Sequence, residues 1–305
     1  MRPPKRRAPF FAMIRRESPC KVNFLLNVLG RRADGFHELE TLFHHVPLMD
    51  ELTFEHAPNG GLGIQLTCSA PHLLVDNTNL VCRAANSFLA AAQLSDRGLR
   101  IHLEKRLPLA AGLGGGSANA AHTLLGLNEL FGQPLQSDQL GTLAAGLGSD
   151  VNFFLQDRPA LATGRGEQVQ ALEPFSALRG SWMFLYHPGF GISTPWAFAQ
   201  LRQYSSALQG QPGRALALVD LLRRGDFLAA GRAFYNSLEI PALHKYPVLG
   251  FYQKFLRQNG AWAALMSGSG STTFGLFTDE NSARSVVPKF EAEFGSTGWL
   301  RVVGL

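Results

Sequence analysis

"PLAAGLGGGSANAAHTLLGLNELFG", residues 108–132, is the stretch that decides the fold of this 305-residue chain. Its first half places glycine at positions 112, 114, 115 and 116, and its second half is rich in alanine and leucine, which favour helix. A glycine loop that runs directly into a helix brings free backbone N–H groups and the positive end of the helix dipole together, which suits a phosphate. A tight strand-to-helix turn is the alternative, but four glycines within five positions favour phosphate binding.

This loop differs from two common phosphate motifs. The lysine of the GxxxxGK(S/T) pattern is missing, and Ser117 stands where the last glycine of GxGxxG would be. Ser117 is a candidate to contact a phosphate or its metal ion, or to N-cap the helix, and these roles are compatible. The loop therefore predicts a phosphate site of another design.

The composition predicts an ordinary globular protein. Hydrophobic residues make up 46% and charged residues 17%, and the length suits two domains. The chain shows no uncharged apolar run of about 18 residues, so we expect no membrane span. Its three cysteines are odd in number and lack CxxC spacing, which argues against disulfides and favours a reducing cytoplasm; they are Cys20, Cys68 and Cys82.

The net charge of +5 comes from the N-terminal end of the chain. Residues 1–16 contain six arginines and lysines and no acid, and without them the body is close to neutral. The body also lacks a basic run interleaved with aromatic residues. We therefore predict a disordered basic extension at 1–17 and no nucleic-acid partner.

The local patterns outline the first half of the chain. Residues 18–29 predict a strand, and residues 38–56 predict two strands that are broken near Pro47, so the chain opens as antiparallel sheet. An alanine-rich pattern at 79–94 predicts a helix, and Ser137 is the expected N-cap of another helix.

Several motifs resemble, in chain order, those of the GHMP kinases, a superfamily that includes galactokinase, homoserine kinase and mevalonate kinase. The glycine loop carries the superfamily resemblance. Four further stretches narrow it to the branch that acts on 4-diphosphocytidyl-2-C-methyl-D-erythritol: "KVNFLLNVLGRRADGFH" (21–37), "LGSDVNFFL" (147–155), "HPGFGISTPWAF" (187–198) and "SGSGSTTFGLF" (267–277). The resemblance runs from about residue 18 to the end.

The resemblance implies an α+β, two-domain GHMP kinase fold. It places an ATP-binding, ribosomal-protein-S5-like domain at 18–160 and a ferredoxin-like α/β sandwich at 161–305. The implied activity is transfer of phosphate from ATP to the 2-hydroxyl of the cytidine-linked substrate, giving the 2-phosphate and ADP in non-mevalonate isoprenoid synthesis. We expect Mg²⁺ to arrive bound to ATP, and its protein ligands stay unassigned.

The implied catalytic residues are Lys21 and Asp150. A carboxylate beside a cation can stay ionised and accept an alcohol proton. Lys21 could instead be a surface lysine on an edge strand, and Asp150 could be an N-cap after glycine and serine. Their pairing is what favours catalysis.

The resemblance assigns five residues to the cytidine-linked substrate. An aromatic face stacks on a base and a histidine can bond its edge, although core packing and a surface histidine are the simpler alternatives. Trp196 is an alternative to Phe198 as the second aromatic wall around cytosine. The assigned residues are Asn23, Phe36, His37, Thr194 and Phe198.

The ATP site is assigned in the same way. Gly268, Ser269 and Gly270 resemble a third family motif that approaches the phosphate loop, although a simple hairpin turn is an alternative. The assigned ATP residues are Asn79, Leu80, Lys105, Pro108, Leu109, Ala110, Ala111, Gly112, Leu113, Gly114, Gly115, Gly116, Ser117 and Ala118.

The chain departs from the family pattern at three positions: Asn152 replaces a proline, Phe36 a tyrosine and Cys20 an alanine. None of these removes a charge needed for transfer. Two other functions stay open, namely another GHMP kinase of the homoserine or mevalonate type, and a catalytically silent GHMP-fold protein that only binds a ligand.

Overall fold

The computed structural model describes residues 13–57 and 61–305. A long hairpin of β1 (Ile14–Arg31) and β2 (His37–His56) starts the first sheet. Its other strands are β3 (Ile64–Cys68), β4 (Leu99–Glu104), β5 (Ala160–Thr163), β6 (Gln168–Ala171) and β8 (Tyr235–Asn236). Within the described residues this seven-stranded sheet runs β3-β4-β2-β1-β8, and β5 pairs with both β2 and β6. The predicted antiparallel opening is confirmed.

The predicted extension at 1–17 overlaps the first strand. Residues 1–12 lie outside the described residues, whereas Ile14–Glu17 pair with Glu51–Phe54 of β2. Arg16 adds an ion pair of 2.9 Å to Glu129. Because these residues share the ladder of β1, the prediction of disorder was wrong for them.

The predicted break near Pro47 is a bulge inside one strand. Pro19 pairs with Met49 and Cys20 with Val46, so two residues of β2 have no ladder partner there. Proline cannot donate to a ladder, and a bulge accommodates it without ending the strand. The prediction of two strands was therefore wrong.

In the described part of the chain, α1 (Leu80–Ala91) and α2 (Gly115–Leu130) pack against this sheet, and α3 (Ser137–Leu147) packs on those two helices. Asn79 caps α1 by accepting the N–H of Val81 at 2.9 Å. The predicted Ser137 cap is wrong, since Gln136 is the N-cap and its N–H donates to Gln139 at 2.9 Å. Gly126 of α2 lets the helix approach Phe54, because a Cβ there would lie 2.4 Å from the ring. The sheet therefore holds α2, with the glycine loop at its start, at a fixed position.

The second sheet is formed by β7 (Trp182–His187), β9 (Ala263–Met266), β10 (Thr273–Phe277) and β11 (Trp299–Gly304). Its order, β11-β7-β10-β9 with antiparallel pairs, is that of a ferredoxin-like sheet. Among the described residues, seven helices lie in this half of the chain: α4 (Thr194–Gln200), α5 (Ser205–Leu208), α6 (Arg214–Arg224), α7 (Phe227–Ala233), α8 (Glu239–Lys245), α9 (Val248–Gln258) and α10 (Glu280–Phe294). Of these, α7, α9 and α10 pack against the second sheet, whereas α5 and α6 contact β1 of the first sheet. The α+β class is confirmed. The predicted domain boundary at 160/161 falls at the first residue of β5, and the two ranges stay a prediction.

One hydrophobic cluster joins the two sheets. It combines Val22 and Leu25 of β1 with Leu113 of the glycine loop, and with Leu265 and Phe274 of the second sheet. The loop is therefore held between the sheets. Within the described residues, no helix has both the length and the apolar run needed to cross a membrane.

Candidate active site

Lys21 and Asp150 meet although 129 positions separate them in the sequence. Lys21 lies on β1 with 3% of its side chain exposed, and its Nζ is 3.2 Å from Oδ2 of Asp150. The same ammonium donates to Oδ1 of Asn23 at 2.6 Å. A buried ammonium is costly unless it is paired and hydrogen-bonded, and these two partners meet that need. The structure thus brings the two side chains together as the sequence predicts, and the catalytic role itself stays a prediction.

Asp150 is held by the segment that follows α3. It precedes a 3₁₀ turn, Asn152–Leu155, whose N-cap is Val151, so Asp150 is not the cap of that turn. Asn152, where the resemblance leads us to expect a proline, donates from Nδ2 to the carbonyl of Glu167 at 3.2 Å. This side-chain bond ties the segment to the turn between β5 and β6.

A cavity of about 540 Å³ opens beside this pair. All five residues predicted for the cytidine-linked substrate line it: Asn23, Phe36, His37, Thr194 and Phe198. The His37 and Phe198 rings stack with centroids 5.1 Å apart. Phe36 is 52% exposed, and the Arg165 guanidinium lies 4.7 Å from its ring centroid. The ring of Trp196 instead carries the Lys245 ammonium at 4.4 Å, so Phe198 is the aromatic side chain of α4 that reaches the cavity.

Three arginines that the sequence analysis missed also line this cavity: Arg31, Arg165 and Arg202. These arginines lie far apart in the sequence, so no local motif marks them as a group. The charge pattern of the chain is dominated instead by its basic N-terminal end. The pKa of His37 lies below its usual range. Burial is the larger cause, and the positive charge of Arg31 is the smaller one. A neutral imidazole at this position offers one donor and one acceptor to a ligand.

A second cavity, of about 520 Å³, lies on the other side of the glycine loop. Twelve of the predicted ATP residues line it: Asn79, Leu80, Lys105, Pro108, Leu109, Ala110, Ala111, Leu113, Gly114, Gly115, Gly116 and Ser117. Two do not, because Ala118 is fully buried in the core and Gly112 packs against Ser267. All fourteen assignments to ATP stay predictions.

The loop ends where Gly114 caps α2 in a left-handed conformation, with φ of 69°. Ser117 is therefore the third residue of the helix and does not cap it. A Cβ on Gly114 would lie 3.0 Å from Cε of Lys21. The loop thus rests on the side chain of Lys21, which places this lysine between the two cavities.

The turn after β9 fastens the glycine loop from the other sheet. Ser267 donates to the carbonyl of Gly112 at 2.9 Å, and the N–H of Thr272 donates to Ala111 at 3.2 Å. The hydroxyls of Thr194 and Ser269 lie 2.8 Å apart and join the same turn to α4. This turn is more than a simple hairpin connection, because it links both cavities to the loop.

Comparisons with known proteins agree with this geometry. The family models "GHMP kinases N terminal domain" and "GHMP kinases C terminal" match residues 79–163 and 218–296. The fold is thus that of a GHMP kinase, an ATP-dependent small-molecule kinase. A 4-diphosphocytidyl-2-C-methyl-D-erythritol kinase of Syntrophotalea carbinolica is 37% identical over 278 residues, which covers 91% of this chain and 94% of the relative. The chain belongs to the 4-diphosphocytidyl-2-C-methyl-D-erythritol kinase family.

Solved structures extend the comparison. A crystal structure of 4-(cytidine 5'-diphospho)-2C-methyl-D-erythritol kinase is 35% identical, covers 96% of this chain and all of its own, and gives a TM-score of 0.76. Homoserine kinase from Cytophaga hutchinsonii gives a TM-score of 0.73 at 18% identity, with 98% of this chain and 97% of that chain covered. The second likeness shows a shared fold alone.

Proposed function

We propose that this chain transfers the γ-phosphoryl group of ATP to the 2-hydroxyl of 4-diphosphocytidyl-2-C-methyl-D-erythritol, releasing ADP and the 2-phosphate. The observation that carries the proposal is the Lys21–Asp150 ion pair at the point where the glycine loop meets the first cavity. Family membership supplies the substrate, and this pair supplies groups that can perform the transfer.

Asp150 acts as the base in this proposal. Its side chain is one-third exposed and lines the first cavity, where the acceptor alcohol binds. A carboxylate oxygen accepts the proton of the 2-hydroxyl, the freed oxygen forms a bond to the γ-phosphorus, and the bond from that phosphorus to the β–γ bridging oxygen breaks. The leaving group is ADP.

Lys21 has two tasks. Its ammonium orients the Asp150 carboxylate, because Nζ lies 3.2 Å from Oδ2. Lys21 also lies directly beneath Gly114, so its ammonium is well situated to stabilise negative charge on the transferred group. Asn23 fixes the ammonium at 2.6 Å and is itself anchored, because its Nδ2 donates to Thr41 at 2.8 Å.

ATP occupies the second cavity in this proposal, with its phosphates at the start of α2. The N–H groups of the first helical turn and the helix dipole attract the anion. Within the described residues, no group of three or more histidine, cysteine or acidic side chains could hold a metal ion. Mg²⁺ would enter bound to ATP, and Ser117, which lines this cavity, offers it a hydroxyl oxygen. The ion would neutralise charge on the phosphates.

The cytidine end binds at the far side of the first cavity. The stacked rings of His37 and Phe198, and the exposed face of Phe36, suit a pyrimidine, which needs flat apolar walls and an edge partner. Arg31 and Arg202 line the same cavity, and their positive charge suits the diphosphate of the substrate.

The chain works in a reducing cytoplasm in this proposal. Its three cysteines are unpaired, which suits that compartment.

Turnover of candidate acceptors tests the proposal. The full chain is assayed with Mg-ATP and, separately, with the cytidine-linked methylerythritol, homoserine or mevalonate, and ADP release and ³¹P NMR of the product are followed. We expect ADP release with the first acceptor and a new phosphomonoester on its 2-oxygen. Turnover with another acceptor alone, or nucleotide binding without ADP release, would refute the proposal.

A further inference from the structure

A buried ion pair lies behind the ATP cavity, and its carboxylate, Asp50, has no part in the roles assigned so far. Asp50, on β2, is fully buried, and its Oδ2 accepts a short hydrogen bond from Nζ of Lys105. Its Oδ1 accepts the backbone N–H groups of Arg106 and Leu107 at 2.8 and 2.9 Å. Asn119 of α2 donates to Oδ2 at 3.1 Å. One carboxylate thus joins β2, the segment that enters the glycine loop, and the helix that leaves it.

The cost of burying the charge of Asp50 requires that its hydrogen-bond donors surround it in a fixed arrangement. A buried charge is tolerated when it is paired and its lone pairs are satisfied, and four donors satisfy Asp50. Charge-assisted bonds are short and directional, so the carboxylate holds Lys105 and residues 106 and 107 in one arrangement. Lys105 is itself only 5% exposed, so its long side chain has little freedom.

The pair also places a positive charge at an unusual point. A Cβ on Gly115, the first residue of α2, would lie 3.2 Å from Nζ of Lys105. A cation beside the positive end of a helix is unfavourable by itself. Oδ2 of Asp50 would lie 3.7 Å from the same Cβ, so the ammonium and the carboxylate balance each other there, and the unpaired N–H groups of the first turn keep the helix N-terminus electropositive. The arrangement therefore favours a further anion in the adjoining cavity, which Lys105 and Gly115 both line.

We propose that Asp50 is a positioning residue of the ATP site, which fixes the Lys105 ammonium beneath the first turn of α2 so that its charge acts on the phosphates of ATP. This rests on the proposed function for the nucleotide. It gives Lys105, which the family resemblance assigns to the ATP site as a whole, a place at the phosphate chain. The geometry that carries it is the contact between Nζ and Gly115.

Nucleotide binding in the absence of any acceptor tests this directly. Asp50→Asn removes the charge that holds Lys105, and titration calorimetry compares ATP with adenosine, which lacks phosphates. We expect the dissociation constant of ATP to rise about 10- to 100-fold, the usual scale for a lost charge-assisted bond, and that of adenosine to change less than about threefold. Lys105→Gln should give the same selective loss.

Ser18→Ala is the matched control. Ser18 is fully buried and donates to Oδ1 of Asn119 at 2.8 Å, so the variant loosens the same network without touching the ion pair. We expect ATP affinity to stay within about twofold of the unmodified chain. Thermal unfolding of each variant separates a loss of fold from a loss of binding.

Two results would overturn the inference. One is an equal loss of ATP and adenosine affinity in Asp50→Asn, since a merely structural role would produce it. The other, which decides the matter if Asp50→Asn does not fold, is ATP affinity of Lys105→Gln within about twofold of normal. Because this measurement needs no acceptor, failure here differs from failure of the proposed reaction, which would appear as an unmodified chain without turnover.

Discussion

Replacement of Gly112 by alanine tests how the glycine loop is held between the two sheets. Gly112 has φ of 77°, a left-handed conformation that costs an alanine about 1–2 kcal/mol. A Cβ there would also lie 2.1 Å from the carbonyl oxygen of Ser267. That contact is with backbone of the opposite sheet, so the loop or the turn has to move apart. Overpacking of this kind costs about 1–3 kcal/mol more.

The two costs together give a loss of about 2–5 kcal/mol in the free energy of unfolding. An unfolding entropy of about 2.1 cal/mol/K per residue over 305 residues corresponds to about 0.6 kcal/mol for each degree. We therefore expect Tm to fall by about 3–8 °C. Turnover should fall as well, because the displaced turn carries Gly268, whose neighbour Ser269 contacts Thr194 of the first cavity.

Gly132→Ala is the matched control for this prediction. Gly132 has the same φ of 77°, but a Cβ there would meet nothing within 4 Å. It isolates the backbone cost, so we expect a fall in Tm of about 2–3 °C and normal turnover. Differential scanning calorimetry and the coupled ADP assay measure both effects. If Gly112→Ala is no more destabilised than Gly132→Ala, the loop is not clamped by Ser267 and the reasoning fails.

Three further substitutions test the site and its support. Asp150→Asn should fold and bind ATP normally but lower turnover by about 10²- to 10⁴-fold, the scale for a lost general base, and near-normal rates in steady-state kinetics would contradict the assignment. Phe36→Ala should raise KM for the cytidine-linked substrate about tenfold through lost stacking, while KM for ATP stays unchanged; equal changes in both would exclude a role at the base. Burial raises the pKa of Glu239 to about 7, so the Glu239 carboxyl holds its proton more tightly in the folded chain than in the unfolded chain. The free energy of unfolding therefore declines as pH rises from about 4.5 to 7. Glu239→Gln keeps an acceptor for the N–H of Met266 without the charge, so it should raise the free energy of unfolding by about 2–3 kcal/mol at pH 8 and by much less at pH 5. A gain that is equal at both pH values in denaturant titrations would show that the carboxyl is not held protonated.

Local structure could be predicted well from the sequence because it depends on neighbours a few residues away. The glycine loop leading into α2, the helix α1 and the strand β1 follow from propensity and spacing. The predicted cap at Ser137 failed within the same rules, since the neighbouring Gln136 has a partner three residues on. Such errors shift an element by a residue and leave the site in place.

Strand ends were harder to predict because they depend on the partner strand. Pro47 marks a break by its lack of an N–H, yet the long hairpin with β1 absorbs it as a bulge. Residues 14–17 have the composition of a tail, but they pair with β2. In both cases pairing across the sheet overrode the local pattern.

The sequence by itself determined the chemical groups of the site and, through motif resemblance, the pairing of Lys21 with Asp150. Only the tertiary structure decided which charges are buried and what holds them. Asp50 meets Lys105 55 positions away, and Gly112 meets Ser267 155 positions away. These contacts leave no periodic or local signal, because burial and long-range partners arise from the packing of whole sheets and helices against each other.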